Sequence, residues 1–324
     1  MDVGLDKIRR SNIMLIGLHD AERDHMPSKS FPNFALMKIS AYHKAQGDTV
    51  EWWSQLFNDV YDKVYSSKVF DFTPENMYLP PDTIKGGTGY GLFNELPPEI
   101  DNLLPDYSIY PDCDYAIGYI TRGCPNRCGW CVVPIKEGDI RPYALWRDIV
   151  RHDTKKLVLM DNNILACEYG IAQLTELADT DYKIDLNQGM DARLVDERIA
   201  NIIARLKWIR YIRFSCDSLE QIDAIHNAIM LLGMHSVKPY RIFVYLLVTN
   251  DIESAAARVE ELKHYKGIRL FGQAERNASK SVFPNAAQLQ FAGRYIFKGK
   301  YRKENWYEYC KKRGFDCEKQ LFKR

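Results

Sequence analysis

Three thiols crowd one stretch of the chain. In ITRGCPNRCGWCVVP (residues 120–134), Cys124, Cys128 and Cys131 are separated by three and then two residues. Close thiolates bind soft or borderline metals. Structural zinc usually takes four ligands, often as two separated pairs. No matching second pair is present, because Cys310 and Cys317 have six residues between them and lie far downstream. An iron–sulfur cluster is the other choice. Three protein ligands on a four-iron cluster leave one iron open to a substrate or cofactor. The spacing favours such a cluster and leaves zinc open. Three unligated thiols in a loop are the poorest reading, since clustered exposed thiols oxidise.

The elements around these residues decide where such a site would sit. Apolar runs at residues 115–120, 156–160, 182–186, 211–216, 241–248 and 267–272 read as six strands. Helix-like stretches lie between them. DERIANIIARLKW (196–208) puts Ile199, Ile202, Ile203 and Leu206 on one face. The stretch 218–233 ends at a glycine, and 251–267 opens with Asp251 and Ser254 as candidate caps. Strands spaced too far apart for hairpins imply parallel pairing through right-handed crossovers. Active sites in such folds form on the loops after the strands. The cysteine stretch directly follows the first of the six. Upstream, NIMLIGL, FALMKISAYHKAQGD and TVEWW read as strand, helix and strand, the start of a Rossmann-like unit. The Gly- and Pro-rich stretch from Thr83 to Asp112 reads as a linker.

The chain has 324 residues, 46% hydrophobic and 27% charged, in keeping with a globular protein. No apolar run is long enough to span a bilayer, and Ile13–Leu18 is too short for a signal-peptide core. A cytoplasmic location with no membrane partner is expected. The other cysteines, Cys113, Cys167, Cys216, Cys310 and Cys317, are scattered, which does not suggest a disulfide framework. Net charge is +1, but residues 294–324 hold eleven Lys and Arg against four Asp and Glu. Aromatic residues interleave with those charges, a mix that binds nucleic acid. The plainer reading is an amphipathic helical tail with packed rings and solvated charges.

C-P-N-R-C-G-W-C after the first strand of a strand–helix series resembles the radical S-adenosylmethionine (radical SAM) superfamily, with Trp130 as the aromatic before the third cysteine. It is nearest to the branch with an N-terminal cobalamin-domain-like domain, which includes tRNA methylthiotransferases. The resemblance implies an α/β fold: a partial (βα)6 barrel over 112–276, a Rossmann-like domain over 1–111, and a basic helical extension over 277–324. It implies a [4Fe–4S] cluster on Cys124, Cys128 and Cys131, with SAM on the fourth iron. SAM would be cleaved to a 5′-deoxyadenosyl radical that abstracts hydrogen from a substrate, a nucleic acid, nucleotide or peptide. An external flavodoxin- or ferredoxin-like donor would supply the electron. Residues 1–112 contain no cysteine, so a second cluster and sulfur insertion are not expected. Cobalamin is not expected either, because His19 and Asp20 stand in the wrong order for its Asp-x-His-x-x-Gly motif.

The resemblance carries SAM contacts onto the strand ends. Asp161, Asn162 and Asn163 follow the second strand, at the position of the loop near the SAM amino group. Asn187, Gln188, Asp191 and Arg193 follow the third, and Arg193 suits a carboxylate. Ser215 and Asp217 end the fourth, and the backbone at Phe271 and Gly272 is the expected adenine neighbour. The rival from another class is a non-catalytic, zinc-stabilised nucleic-acid-binding protein.

Overall fold

Strand–helix alternation becomes parallel sheet in the structure, a computed structural model that describes residues 13–25, 31–277, 280–316 and 321–322. Cys317 lies outside the described residues. The chain divides into two units, Met1–Cys113 and Asp114–Arg324.

In the first unit, β1 (Leu15–Asp20), β2 (Thr49–Trp52), β3 (Lys63–Ser67) and β4 (Ile84–Gly86) form one parallel sheet in the order β2-β1-β3-β4. Central β1 buries Ile16 and Leu18 completely. The helix Phe34–Ala45 joins β1 to β2. Asn33 caps it by accepting from the Leu36 amide at 3.2 Å, and it buries Leu36, Met37 and Ile39. The expected linker is corrected here, since β4 lies within it. An edge strand three residues long, with Ile84 exposed, has no apolar period to betray it. His19 is buried, with Nδ1 2.7 Å from Ser66 Oγ and its ring edge-on to Trp53.

In the second unit, β5 (Ala116–Gly118), β8 (Lys156–Leu159), β9 (Lys183–Leu186), β12 (Ile212–Ser215), β13 (Ile242–Val248) and β14 (Arg269–Ala274) match the six expected strands. Four further strands of two residues are β6 (Thr121–Arg122), β7 (Arg141–Pro142), β10 (Met190–Asp191) and β11 (Lys207–Trp208). Two parallel sheets result, β11-β9-β8-β5 and β10-β12-β13-β14, while β6 and β7 pair as an antiparallel ribbon. On β13, Ile242, Val244, Leu246 and Val248 are fully buried, and Phe243 and Tyr245 on the other face are half-buried. Helices Glu197–Arg205 and Ile252–Leu262 start on Asp196 and Asp251, which accept from the Ile199 amide at 2.7 Å and the Ser254 amide at 2.9 Å. Asp251 is thus the cap, and Ser254 only its donor.

The C-terminal segment packs into this unit's core. Residues Ala286–Gln290 continue into wide π-type turns over Phe291–Ile296, and a helix spans Trp306–Arg313. Phe291, Tyr295, Trp306 and Tyr309 are buried in a cluster of ring contacts at 4.9–5.5 Å. Most rings of the basic tail are thus taken up by packing, with Tyr301 and Phe315 also buried, while Phe297 and Tyr307 stay exposed. A short antiparallel pair, β15 (Phe315–Asp316) and β16 (Leu321–Phe322), follows. Among the described residues no helix is long and apolar enough to cross a membrane.

One buried cation ties the sheet to its helices. Arg258, 1% exposed, donates to the carbonyls of Cys216 (2.5 Å), Leu247 (2.7 Å) and Ser254 (3.2 Å). It therefore joins the C-terminal ends of β12 and β13. Arg258→Met keeps the apolar volume but leaves these carbonyls without donors. We expect a loss of about 3 kcal/mol, read by chemical denaturation.

Candidate metal centre

The cysteines ride on the tip of the β6–β7 ribbon. Thr121 pairs with Pro142 and Arg122 with Arg141, so residues 123–140 form a loop closed at its base. Gly123 has φ +82°, and a Cβ there would lie 2.3 Å from the Asp139 carbonyl oxygen, so only glycine lets the two sides of the loop meet. The Cys124 amide donates to the Gly138 carbonyl at 3.1 Å, and the Cys131 amide to the Cys128 carbonyl at 3.0 Å. The second and third thiols therefore sit on one tight turn.

Two acids anchor this loop. The Glu137 carboxylate accepts from Arg122 Nε (3.0 Å) and Nη2 (3.1 Å), the Gly123 amide (3.1 Å) and Asn162 Nδ2 (2.8 Å), and its side chain is 7% exposed. Arg122 lies over the rings of Tyr119 and Tyr143, at 4.2 and 5.5 Å. Asp161 is buried at the end of β8. It accepts from the Ile120 amide (3.1 Å), the Thr121 amide (2.5 Å) and Thr121 Oγ1 (2.7 Å). Burial pushes its pKa up to about 6 against those hydrogen bonds.

The expected residues fall into groups. Asn163 reaches the thiols: its Nδ2 lies 3.7 Å from Cys124 Sγ, and its Oδ1 is buried with no hydrogen-bond partner among the described residues. Asp191 and Arg193 form a bidentate pair at 2.8 and 2.6 Å, and Asn126 of the cysteine loop donates to Asp191 at 3.1 Å. Burial opposes ionisation of Asp191, but Arg193 and Asn126 override it and hold the carboxyl below its usual range. Burial raises Asp217, which faces Arg258, Asp191 and Arg193. Burial also raises Cys128, helped by Asp217 and Cys124, and Cys131, helped by the other two thiols. The three thiols, Asp191, Arg193 and Asp217 thus act on one another electrostatically.

Other expected residues have different roles. Asp161 and Asn162 hold the loop through their carboxyl and amide. Ser215 is half-buried between Asp191 and Tyr245 in register. Gln188 is exposed and Trp130 half-buried. Phe271 stacks with Phe243 at 6.0 Å and meets Tyr245 edge-on at 5.9 Å. Gly272 lets the C-terminal helical segment approach, since its Cβ would lie 3.0 Å from Ala292 Cα.

Several residues of the site carry no signal of spacing. Glu137 is one charge in a loop until its partners Arg122, Gly123 and Asn162 are in place. Asp185 and Arg213 form a bidentate pair at 2.7 and 2.6 Å. Tyr245 OH accepts from Arg213 Nη1 (3.3 Å) and donates to the Asn187 carbonyl (3.0 Å). The available signal was a charge in mid-strand, in KIDL and IRFS, where solvent would not reach it.

The resemblance implies a cluster, and the donor types suit one: three thiols on one loop, next to Asn163, whose buried amide oxygen lacks a partner among the described residues. Their positions are neighbourly rather than a closed set. Among the described residues no three His, Cys, Asp or Glu side chains converge on a metal position.

No family model matches the chain, and no curated protein matches it. Among solved structures it is similar to OxsB, a cobalamin-dependent S-adenosylmethionine radical enzyme, described with aqua-cobalamin and S-adenosylmethionine bound. Identity is 12% and the TM-score 0.39, over 90% of this chain and 55% of that one. The chain therefore spans about half the length of that protein. A likeness this distant assigns it neither activity nor cofactor.

The raised Asp161 carries a sign that experiment can read. Its native pKa, about 6, lies above the ordinary value of 3.8, so the folded state holds the proton more tightly. Its contribution to stability is full below pH 3.8 and falls as pH rises to about 6. Asp161→Asn removes that titration. The stability difference between variant and parent should shift in the variant's favour across this window and then level off, as followed by denaturation at fixed pH values.

Proposed function

We propose that the chain is a radical SAM enzyme whose [4Fe–4S] cluster is held by Cys124, Cys128 and Cys131. The reading includes a partial (βα)6 barrel and an N-terminal Rossmann-like domain. One observation carries it: three thiols on a ribbon just past β5, with Asn163, Asp191, Arg193 and Asp217 from other strand ends in contact with them or acting on their charge. When bound, such a cluster supplies the electron that cleaves SAM and so starts hydrogen abstraction from a substrate.

The chain's own residues prepare that chemistry. The thiols must lose their protons on ligation, and burial makes this unfavourable for Cys128 and Cys131 without a cation. Arg193 sits beside Cys124 and Cys128 and offsets the negative charge they acquire. Asp191 fixes its guanidinium through Nε and Nη2, which leaves the Nη1 protons to receive a carboxylate. Asn163 presents an unused acceptor, suited to an ammonium group. Glu137 and Asp161 keep the ribbon still while ligands bind. The proposal also expects a flavodoxin- or ferredoxin-like electron donor and a substrate of undetermined class.

Metal and turnover separate this reading from its rival. Anaerobic reconstitution should give about four irons per chain with matching sulfide. With SAM and a reductant, the protein should release 5′-deoxyadenosine. Cys128→Ala should lose both. A colourless chain that holds a single zinc, and releases no 5′-deoxyadenosine, would overturn the proposal.

Glu137→Ala leaves every thiol in place but frees Arg122, Gly123 and Asn162. Its iron should be held about 10–100-fold less tightly, as for other lost supports of metal ligands. Chelator competition checks this.

A further inference from the structure

At the opposite end of the β12–β14 sheet lies a cleft of ≈ 410 Å³, lined by Ile209, Arg210, Tyr211, Tyr240, Arg241, Gly267, Arg269 and Arg302. All of its residues but Arg302 precede or begin the three strands, whereas Ser215, Asp217 and the cysteine loop lie toward the strands' C-terminal ends. The seven residues of β13 separate the two ends by about 23 Å.

The charge of this cleft is one-sided. Four guanidiniums line it and, among the described residues, no acidic residue does. Arginines nearby in the sequence are matched to carboxylates: Arg193 to Asp191, Arg198 to Glu168, Arg205 to Asp179 and Arg213 to Asp185. None of the four cleft arginines is in an ion pair among the described residues. Like charges held around one cavity repel, and their field draws in anions.

The fold holds them there. Arg210 and Arg269 lie over the Tyr211 ring at 4.8 and 5.5 Å. Arg302 comes from the C-terminal segment, brought in by buried Tyr301. The Tyr301 hydroxyl lies 3.4 Å from both the Leu270 amide and the Ile268 carbonyl and accepts from Arg302 Nε at 3.3 Å. Tyr240 presents an exposed ring at the same cleft. Guanidiniums matched to phosphate geometry, beside an exposed aromatic ring, suit a phosphorylated, base-bearing ligand.

We propose that this cleft binds a nucleoside phosphate, either as a free nucleotide or within a single-stranded nucleic acid. The assignment is independent of the cysteine loop and of the radical reading. Aromatic residues of the basic tail contribute to the core instead, and its Arg302 contributes charge to the cleft.

Fluorescence anisotropy tests this on the full chain with two probes, fluorescein-labelled ATP and a fluorescein-labelled 12-mer RNA. At least one should bind, and preference for either names the source of the phosphate. Arg210→Gln with Arg269→Gln should weaken binding about tenfold or more. For the RNA, each lost contact should lower the slope of log affinity against log salt by about 0.7. Arg302→Gln alone and Tyr240→Ala alone, both at exposed positions, should each weaken binding and so keep the test open if the double variant fails to fold. Arg205→Gln removes the same charge elsewhere, from a pair with Asp179, and should leave binding unchanged. Binding of neither probe would overturn the proposal. So would affinity equal in parent and cleft variants, or competition by poly-glutamate as strong as by the nucleotide.

Discussion

The Glu137 carboxylate is the constraint on which the cysteine site depends. A loop that carries three thiols has little apolar surface to hold it, and its backbone groups must find partners at the edge of the sheet. Glu137 supplies four acceptances at once, to a guanidinium, a backbone amide and an amide side chain from the next strand end. A nearly buried acid of this kind is stable only when fully paired. Arg122, resting on two tyrosine rings, meets that condition. Asp161 has the matching role nearer the strand, where it grips the chain as it leaves β5. The ribbon is thereby fixed to two neighbouring strands rather than to a single one.

Polar pairs continue across the half-buried face of the strands. Asp185 on β9, Arg213 on β12 and Tyr245 on β13 form a bonded line, and its last hydroxyl reaches the backbone at Asn187. Arg213 also lies over the Phe243 ring at 5.1 Å. Since β9 belongs to one parallel sheet and β12 and β13 to the other, this line bridges the two sheets. The charges there are compensated internally, so they specify strand positions more than they add stability. Arg258 does the same from the helix side, at the very strand ends that present Asp217.

The two ends of the second unit's strands differ in how charge is balanced. Near the cysteine loop, acids and bases are matched: Asp191 with Arg193, Glu137 with Arg122, Arg258 beside Asp217. At the starts of β12 to β14, arginines gather without acids among the described residues. A net charge of +1 for the whole chain hides this division, because the sum discards position. The basic tail illustrates the point. Its charge is evident in the sequence, but most of its rings turn inward, Phe297 and Tyr307 excepted, and only Arg302 of its charge lines the cleft.

The cysteine spacing and the strand–helix alternation could be read from local order alone. Apolar period and turn residues are properties of neighbours along the chain, so the six longer parallel strands of the second unit and the major helices could be placed within a few residues. β4 and the two-residue strands could not, since their pairing is set by partners far away and their own residues carry no period. The same division runs through the site. Cys124, Cys128 and Cys131 announce themselves by spacing. Asn163 beside Cys124, Asn126 on Asp191, Glu137 on Asn162 and the four arginines of the cleft come together only when segments distant in sequence align. Their chemistry depends on distance and burial, and a linear order of residues encodes neither until the chain is packed.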